Sequence, residues 1–515
     1  MEVTQRIIPP EIQEDGSVRY RSVMSKGKTE AICYLVSRRV IPVVFVPGVM
    51  GSNLADKDEQ ENPVWLLDSV STVFHWMNRN AAERKAALNP EDTVVYGGGK
   101  LPSETPLSTA EMRRRGWGEV AFMSYGNFLA WLDDALNDTH QWQNGIRSTL
   151  LSETEARSIG VAALSRDDVA LSYKYRYPVH AVGYNWLRSN EDSAKRLAAR
   201  VNAFMAFYRS KGFMCDRAIL VTHSMGGLVG RFFTESMGGK EVILGVVNGV
   251  MPATGAAVAY KRVKAGTEGA AGGVLGRNAE EVTAVFAQAP GPLQLLPTPE
   301  YGARWLKIRD GNRMISLPQS DPYNEIYTVR GKWWSLCHEN LINPLDKYKK
   351  TVDEDWQRYV ETVETLVRPF HRAIANRYHA NTYAFYGDDT AHKTWGEVTW
   401  GRRYAAPRFG PRAVDDLAEG TVMHDTGRGT ISVLTRSAGN PLRVVFDLNG
   451  ADESGDGTVP RRSGAAPREK AKVCLAYRGI EHEAAFNVGP LRLFTVWSIV
   501  KITDAVKDTS MAYCK

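Results

Sequence analysis

Residues 221–231 read VTHSMGGLVGR and follow directly on the apolar run RAILV (217–221). A serine set between a strand and a helix, with small residues behind it, can occupy a tight strained turn that lifts its Oγ above a sheet. The helix N-terminus then favours negative charge developing beside it. Ser224 has that position. Gly226 fills the last place of the pattern G-x-S-x-G, but Thr222 stands where the first glycine is usual. A β-branched residue crowds a turn whose flanks must approach closely. The alternative is a serine N-cap on an ordinary strand-to-helix turn.

Outward from this segment the rhythm is strand, helix, strand. IPVVFV (41–46) is fully apolar and ends in a Pro-Gly turn, as a buried parallel strand does. YPVHAVGYNW (177–186) offers another strand, and 190–211 is an amphipathic helix that stops at Gly212. The apolar helix 226–235 is followed by VILGVVN (242–248), and NTYAFYG (381–387) and AKVCLAYRG (471–479) continue the strand series before an apolar helix from Pro490 to about Val506. This alternation predicts an α/β fold with a doubly wound, mostly parallel sheet. Its core is expected over 31–54, 165–260, 378–388 and 441–508. A first insertion is expected over 55–164, a cap or lid over 261–377, and a loop and small-β insertion over 389–440. Residues 16–40 suggest an edge hairpin, 119–137 a helix despite Gly126, and 351–378 one long helix.

The 515 residues allow two to four domains or one large domain with insertions. With 43% hydrophobic and 24% charged residues, the chain is of the soluble globular class. A net charge of +6 is too dilute to indicate nucleic acid as a partner, although it does not oppose an anionic lipid surface. Five scattered cysteines, none in C-x-x-C, indicate neither a disulfide framework nor a zinc ribbon. The first residues lack the apolar stretch of a secretory signal, so synthesis in the cytoplasm, without such a peptide, is expected.

If Ser224 is a nucleophile, it needs a base, an acid and two backbone N–H donors for an oxyanion. Pro47-Gly48-Val49-Met50-Gly51 directly follows the first apolar strand, and Val49 and Met225 are the candidate donors. In the order Ser, acid, His, the histidine with a terminal strand-and-helix context is His482. Asp456 lies before it in the glycine-framed loop SGDGTVP (454–460), where a carboxylate can hold an imidazole Nδ1–H. Asp447 and Asp452 are alternative acids. The loop also matches the first half of an EF-hand at Asp452, Ser454, Asp456 and Gly457, but Ser463 replaces the closing glutamate. His223 reads as a packing residue. No HExxH motif is present, because Phe486 stands where the second histidine after His482-Glu483 is needed. The run Arg113–Arg115 reads as a solvated face or a contact to phosphate.

PGVMGS (47–52), YNWLRSN (184–190), THSMGG (222–227), NGVMPATGA (248–256), LQLLP (293–297), GDGTVP (455–460) and GIEH (479–482) occur in that order. Together they resemble the lecithin:cholesterol acyltransferase-like and GPI inositol-deacylase-like lipases of the α/β-hydrolase superfamily. The resemblance implies Ser224 as nucleophile, Asp456 as acid, His482 as base and Val49 with Met225 as oxyanion donors, with no metal or other cofactor. RRRGWGEVAFMSYGNFLAWL (113–132) resembles a segment of bacterial lipase effectors delivered by type VI secretion. The implied activity is that of a serine esterase on lipid carboxylesters, above all a phospholipase. An acyltransferase of the same mechanism and a non-catalytic binding protein on a hydrolase scaffold are the alternatives. The implied partners are a lipid or membrane surface and an immunity protein or secretion carrier. Val274-Leu275, 293–297 and Trp333-Trp334 are candidates for apolar cover of an acyl chain, although an aromatic-rich stretch is more often simple core.

Overall fold

Six short strands form one sheet: β1 Val43–Val46, β2 Val179–Ala181, β3 Ala218–His223, β4 Ile243–Gly249, β5 Thr382–Gly387 and β6 Val473–Tyr477. The computed structural model describes residues 4–8, 11–12, 18–21, 29–33, 37–138, 145–269, 271–403 and 414–513. Spatial order is β6-β5-β4-β3-β1-β2, and every neighbouring pair is parallel. β1 to β5 are buried along their whole length, which is why stretches within them such as 43–46 and 218–221 read as unbroken apolar runs.

Helices cover both faces. Successive side chains of a strand point to opposite sides, so Val43 and Phe45 join one apolar cluster while Val44 and Val46 join the other. The first cluster includes residues of α1 Asn127–Asn137 and α4 Gly489–Thr503. The second includes residues of α2 Asn190–Ser210 and α3 Gly226–Ser236. The strand order reverses between β1 and β3. In a doubly wound sheet, that reversal opens a crevice at the C-terminal ends of the strands.

The region expected as loops and small β pieces contributes to a second six-stranded sheet. It runs Arg313–Leu317, Leu306–Asp310, Val398–Arg402, Asn440–Leu448, Thr430–Ser437, Thr421–Asp425 in space. Its apolar side belongs to a third cluster with Trp305, Trp333 and Trp400. Trp333 stacks on Phe446 with centroids 4.6 Å apart, and the Trp334 indole N–H donates to the Ala418 carbonyl at 3.0 Å. Of the two readings of this pair, the structure has the core one: both tryptophans belong to this layer and do not cover an acyl chain.

Other local expectations change in detail. The helix expected from residue 119 begins as a wide turn, Phe122–Gly126, before α1. The long helix is Val352–Thr362 and Arg368–Ile374 joined by a wide turn at Val363–Val367. Among the described residues of 16–40, Val18–Arg19 pairs antiparallel with Glu11–Ile12 and Thr29–Cys33 pairs in parallel with Thr4–Ile8, so the expected edge hairpin within 16–40 is not formed by these strands; the rest of that stretch lies outside the described residues. No described helix is long and apolar enough to cross a membrane.

Candidate active site

Ser224 sits at the end of β3 with φ +52°, a left-handed conformation that a non-glycine residue adopts only under constraint. The constraint is visible on both sides. Its amide donates to the Gly249 carbonyl at 2.9 Å, and α3 starts two residues later at Gly226. The departure at Thr222 is absorbed by its neighbours. Its hydroxyl donates to Asn248 Oδ1 at 2.7 Å, and its methyl faces Gly230 of α3, where a Cβ would come within 3.3 Å. The crowding expected of a β-branched residue is relieved because the facing helix carries a glycine there.

The loop after β1 is a tight turn in which the Gly51 amide donates to the Gly48 carbonyl at 3.0 Å. Three outside groups hold its backbone: the Tyr184 hydroxyl donates to the Pro47 carbonyl at 2.8 Å, the Trp65 indole to the Met50 carbonyl at 2.9 Å, and the Gly48 amide donates to the Tyr125 oxygen at 3.2 Å. The glycine at 48 has a steric reason. A Cβ there would lie 2.9 Å from His223 Nδ1 and 3.1 Å from Ser224 Cβ. This loop thus presses against the serine turn. Among the described residues the amides of Val49 and Met225 donate to no group of the chain, leaving both free for an acceptor from outside.

Asp456 reaches the same end of the sheet by an excursion. The chain leaves β5, and Asp389–Thr394 pairs antiparallel with the returning Glu453–Gly455, which sets Asp456 beside Gly387. Its Oδ1 accepts the amides of Thr458 at 2.9 Å and Val459 at 2.6 Å. Its Oδ2 lies 2.9 Å from His482 Nδ1, and the His482 amide donates to the Asp456 carbonyl at 3.0 Å. His482 Nε2 is 2.8 Å from Ser224 Oγ. A carboxylate only accepts, so Nδ1 carries the proton and Nε2 accepts the serine hydroxyl. The Asp456 side chain is fully buried and that of His482 is 15% exposed, so the ion pair formed on protonation is largely shielded from water.

The other candidates fall elsewhere. Asp447 pairs with Arg403 and Thr430 on the second sheet, and Asp452 accepts the amides of Gly396 and Glu397. Ser454 donates to Asp388. The three side chains of the calcium reading, Asp452, Ser454 and Asp456, therefore turn to different partners and do not converge. A cavity of about 350 Å³ lined by Glu300, Asp321, Tyr323, Arg368, His371 and Arg372 includes none of the three residues at 224, 456 and 482.

Two residues with polar roles here were not singled out as such by the sequence. His223 is buried, as a packing residue is, but Nδ1 lies 2.8 Å from the Tyr125 hydroxyl and Nε2 2.8 Å from the His482 carbonyl. Burial, together with the neighbouring His482, holds its imidazole down at about 3. Tyr125, pushed well above the usual phenol range by burial, lies in the wide turn Phe122–Gly126. The one sequence cue was Gly126 inside a helical pattern, where a Cβ would strike the Phe122 ring at 2.5 Å.

A doubly wound parallel sheet, a strained serine at the end of its third strand and a histidine after its last define an α/β-hydrolase fold. No protein-family model matches the chain, and no curated protein matches it significantly. Among solved structures it is similar to "The crystal structure of Tle4-Tli4 complex", with 29% sequence identity, 90% of this chain and 98% of that chain covered, and a TM-score of 0.75.

Proposed function

We propose that the chain is a serine carboxylester hydrolase acting on lipids, above all a phospholipase. The observation that carries this reading is the unbroken hydrogen-bond chain from Ser224 Oγ through His482 to Asp456. Ser224 Oγ attacks the ester carbonyl carbon while His482 Nε2 takes its proton, and Asp456 stabilises the imidazolium through Nδ1–H. The Val49 and Met225 amides receive the oxyanion. Collapse of the tetrahedral species expels the alcohol, which takes the proton from His482. A water molecule deprotonated by the same nitrogen then releases the fatty acid.

Exposed apolar surface beside the loop after β1 supports lipid as the substrate. Helix Val70–Met77 turns Trp76 inward onto Trp65, whose indole holds Met50, and leaves Val70 61% and Phe74 58% exposed. Met123, next to Ser124 and Tyr125, is 48% exposed. In this reading the core proposed over 31–54, 165–260, 378–388 and 441–508, less 31–33 and the 441–448 strand of the second sheet, carries the chemistry, and the insertions 55–164, 261–377 and 389–440 shape access to it. Export by a type VI secretion system and inhibition by an immunity protein belong to the same reading. They are supported by the 113–132 segment and by likeness to a chain solved in a two-protein complex.

Mass spectrometry of products released from mixed phospholipid vesicles tests the proposal. Fatty acid and lysophospholipid are expected from the wild type and not from Ser224→Ala. Unchanged turnover by that variant ends the reading.

A further inference from the structure

The loop after β1, the serine turn after β3 and the histidine loop after β6 come from three strands, so no short covalent path fixes their spacing. A line of hydrogen bonds does. The Gly48 amide donates to the Tyr125 oxygen at 3.2 Å, Tyr125 and His223 Nδ1 are 2.8 Å apart, and His223 Nε2 is 2.8 Å from the His482 carbonyl. With His223 neutral, only one proton arrangement satisfies all three contacts. The carbonyl can only accept, so Nε2–H donates to it and a neutral His223 must accept at Nδ1. Tyr125 O–H is then the donor to Nδ1, and its lone pair takes the Gly48 N–H.

We propose that Tyr125 and His223 are positioning residues, a relay that sets the distance between the oxyanion loop and the catalytic histidine. The proposal rests on the hydrolase reading above. Neither residue touches the reacting atoms; each acts through a backbone group of a loop that does. The wide turn carrying Tyr125 has a second strut to the histidine loop. The Ser124 hydroxyl donates to Glu483 at 3.0 Å, and Asn487 Nδ2 donates to the Ser124 carbonyl at 3.3 Å. Wide helical turns of this kind occur often at functional sites because they redirect consecutive side chains. Here they send Ser124 and Tyr125 to two partners. Burial agrees with the assignment: it keeps His223 neutral down to about 3 and Tyr125 a hydroxyl donor, so the relay does not change protonation where His482 would act as a base.

The rate at which a fluorophosphonate labels Ser224 reads the geometry directly and needs no knowledge of the lipid. Kinetics on a soluble short-chain ester run beside it. Tyr125→Phe keeps the ring and removes one oxygen; it is expected to slow labelling and kcat about 10- to 100-fold with KM changed less than about twofold. His223→Leu should do the same, and His223→Gln, whose amide N–H can reach the same carbonyl, should recover most of the loss. Tyr125→Phe with His223→Leu should be no more than about threefold worse than either alone, because one line of bonds is cut once or twice. Thermal unfolding of each variant separates geometry from loss of fold. If Tyr125→Phe does not fold, the comparison of His223→Gln with His223→Leu decides. Failure of the wild type to label at Ser224 sinks the hydrolase reading. A wild type that labels, with Tyr125→Phe within twofold of it, or with His223→Gln no better than His223→Leu, overturns the relay alone.

Discussion

Gly226 lies so close to the end of β1 that a Cβ on it would fall 2.5 Å from the carbonyl oxygens of both Val46 and Pro47. Neither oxygen is the tip of a flexible side chain, so the strand or α3 must move to make room. Gly226→Ala is expected to cost about 1–3 kcal/mol in urea unfolding, as overpacking a rigid interior does. It should also slow fluorophosphonate labelling of Ser224, because Met225 and the loop after β1 separate. Unaltered stability and labelling would show that the contact is not constraining.

Asp456 is held by two backbone amides as well as by His482. Asp456→Asn is therefore expected to keep the loop while presenting an amide that can favour the wrong imidazole tautomer. A fall in kcat of about 10⁴ is expected, with the unfolding midpoint little changed. Steady-state kinetics on a soluble ester checks this; a loss below about tenfold would remove Asp456 from the proposed catalytic set.

Acid should weaken the fold through histidines buried in the neutral state. Burial lowers His223 to about 3 and His371 to about 4, and it lowers His180 as well. In the unfolded chain each titrates near 6.5. Between those values the unfolded state binds more protons, so stability is complete above about pH 6.5 and is lost as the pH falls toward 4 and then 3. Urea midpoints measured from pH 7.5 to 4 should decline, and His371→Asn should flatten the decline. A wild-type midpoint constant over that range would contradict the assignment.

Phe74 and Val70 stand one helical turn apart and outward. If they enter a lipid surface, each contributes on the order of 1.5–3 kcal/mol of apolar burial. Phe74→Asp and Val70→Asp should each lower vesicle binding and vesicle hydrolysis at least about tenfold, with turnover of a soluble short ester within twofold of wild type. Co-sedimentation with vesicles reads the first effect. Equal losses on both substrates would place these residues in folding instead of at the interface.

The fold class was legible because its signals are local. Continuous apolar runs such as 43–46 and 218–221 mark strands buried on both faces, and the helices between them have caps and stops in the chain itself. The second sheet was read as fragments: the alternation of Ile431 and Val433, or of Val444 and Phe446, is short, and Leu306–Asp310 finds its parallel partner Val398–Arg402 only 92 residues further along the chain. The Trp333-Trp334 pair shows the same limit, since an aromatic run reads alike whether it covers a pocket or fills a core.

By itself the sequence determined where a serine meets the end of a strand, which glycines crowd around it and which way the sheet is wound, because sterics and hydrophobic periodicity act between near neighbours. The tertiary structure alone decided that Asp456 and not Asp447 or Asp452 faces His482, that Gly230 makes room for Thr222, and that Tyr125 and His223 bridge two loops. Those are distances between residues far apart in the chain. They follow from how the strands are ordered and how the excursion after β5 returns, and no spacing along the sequence encodes them.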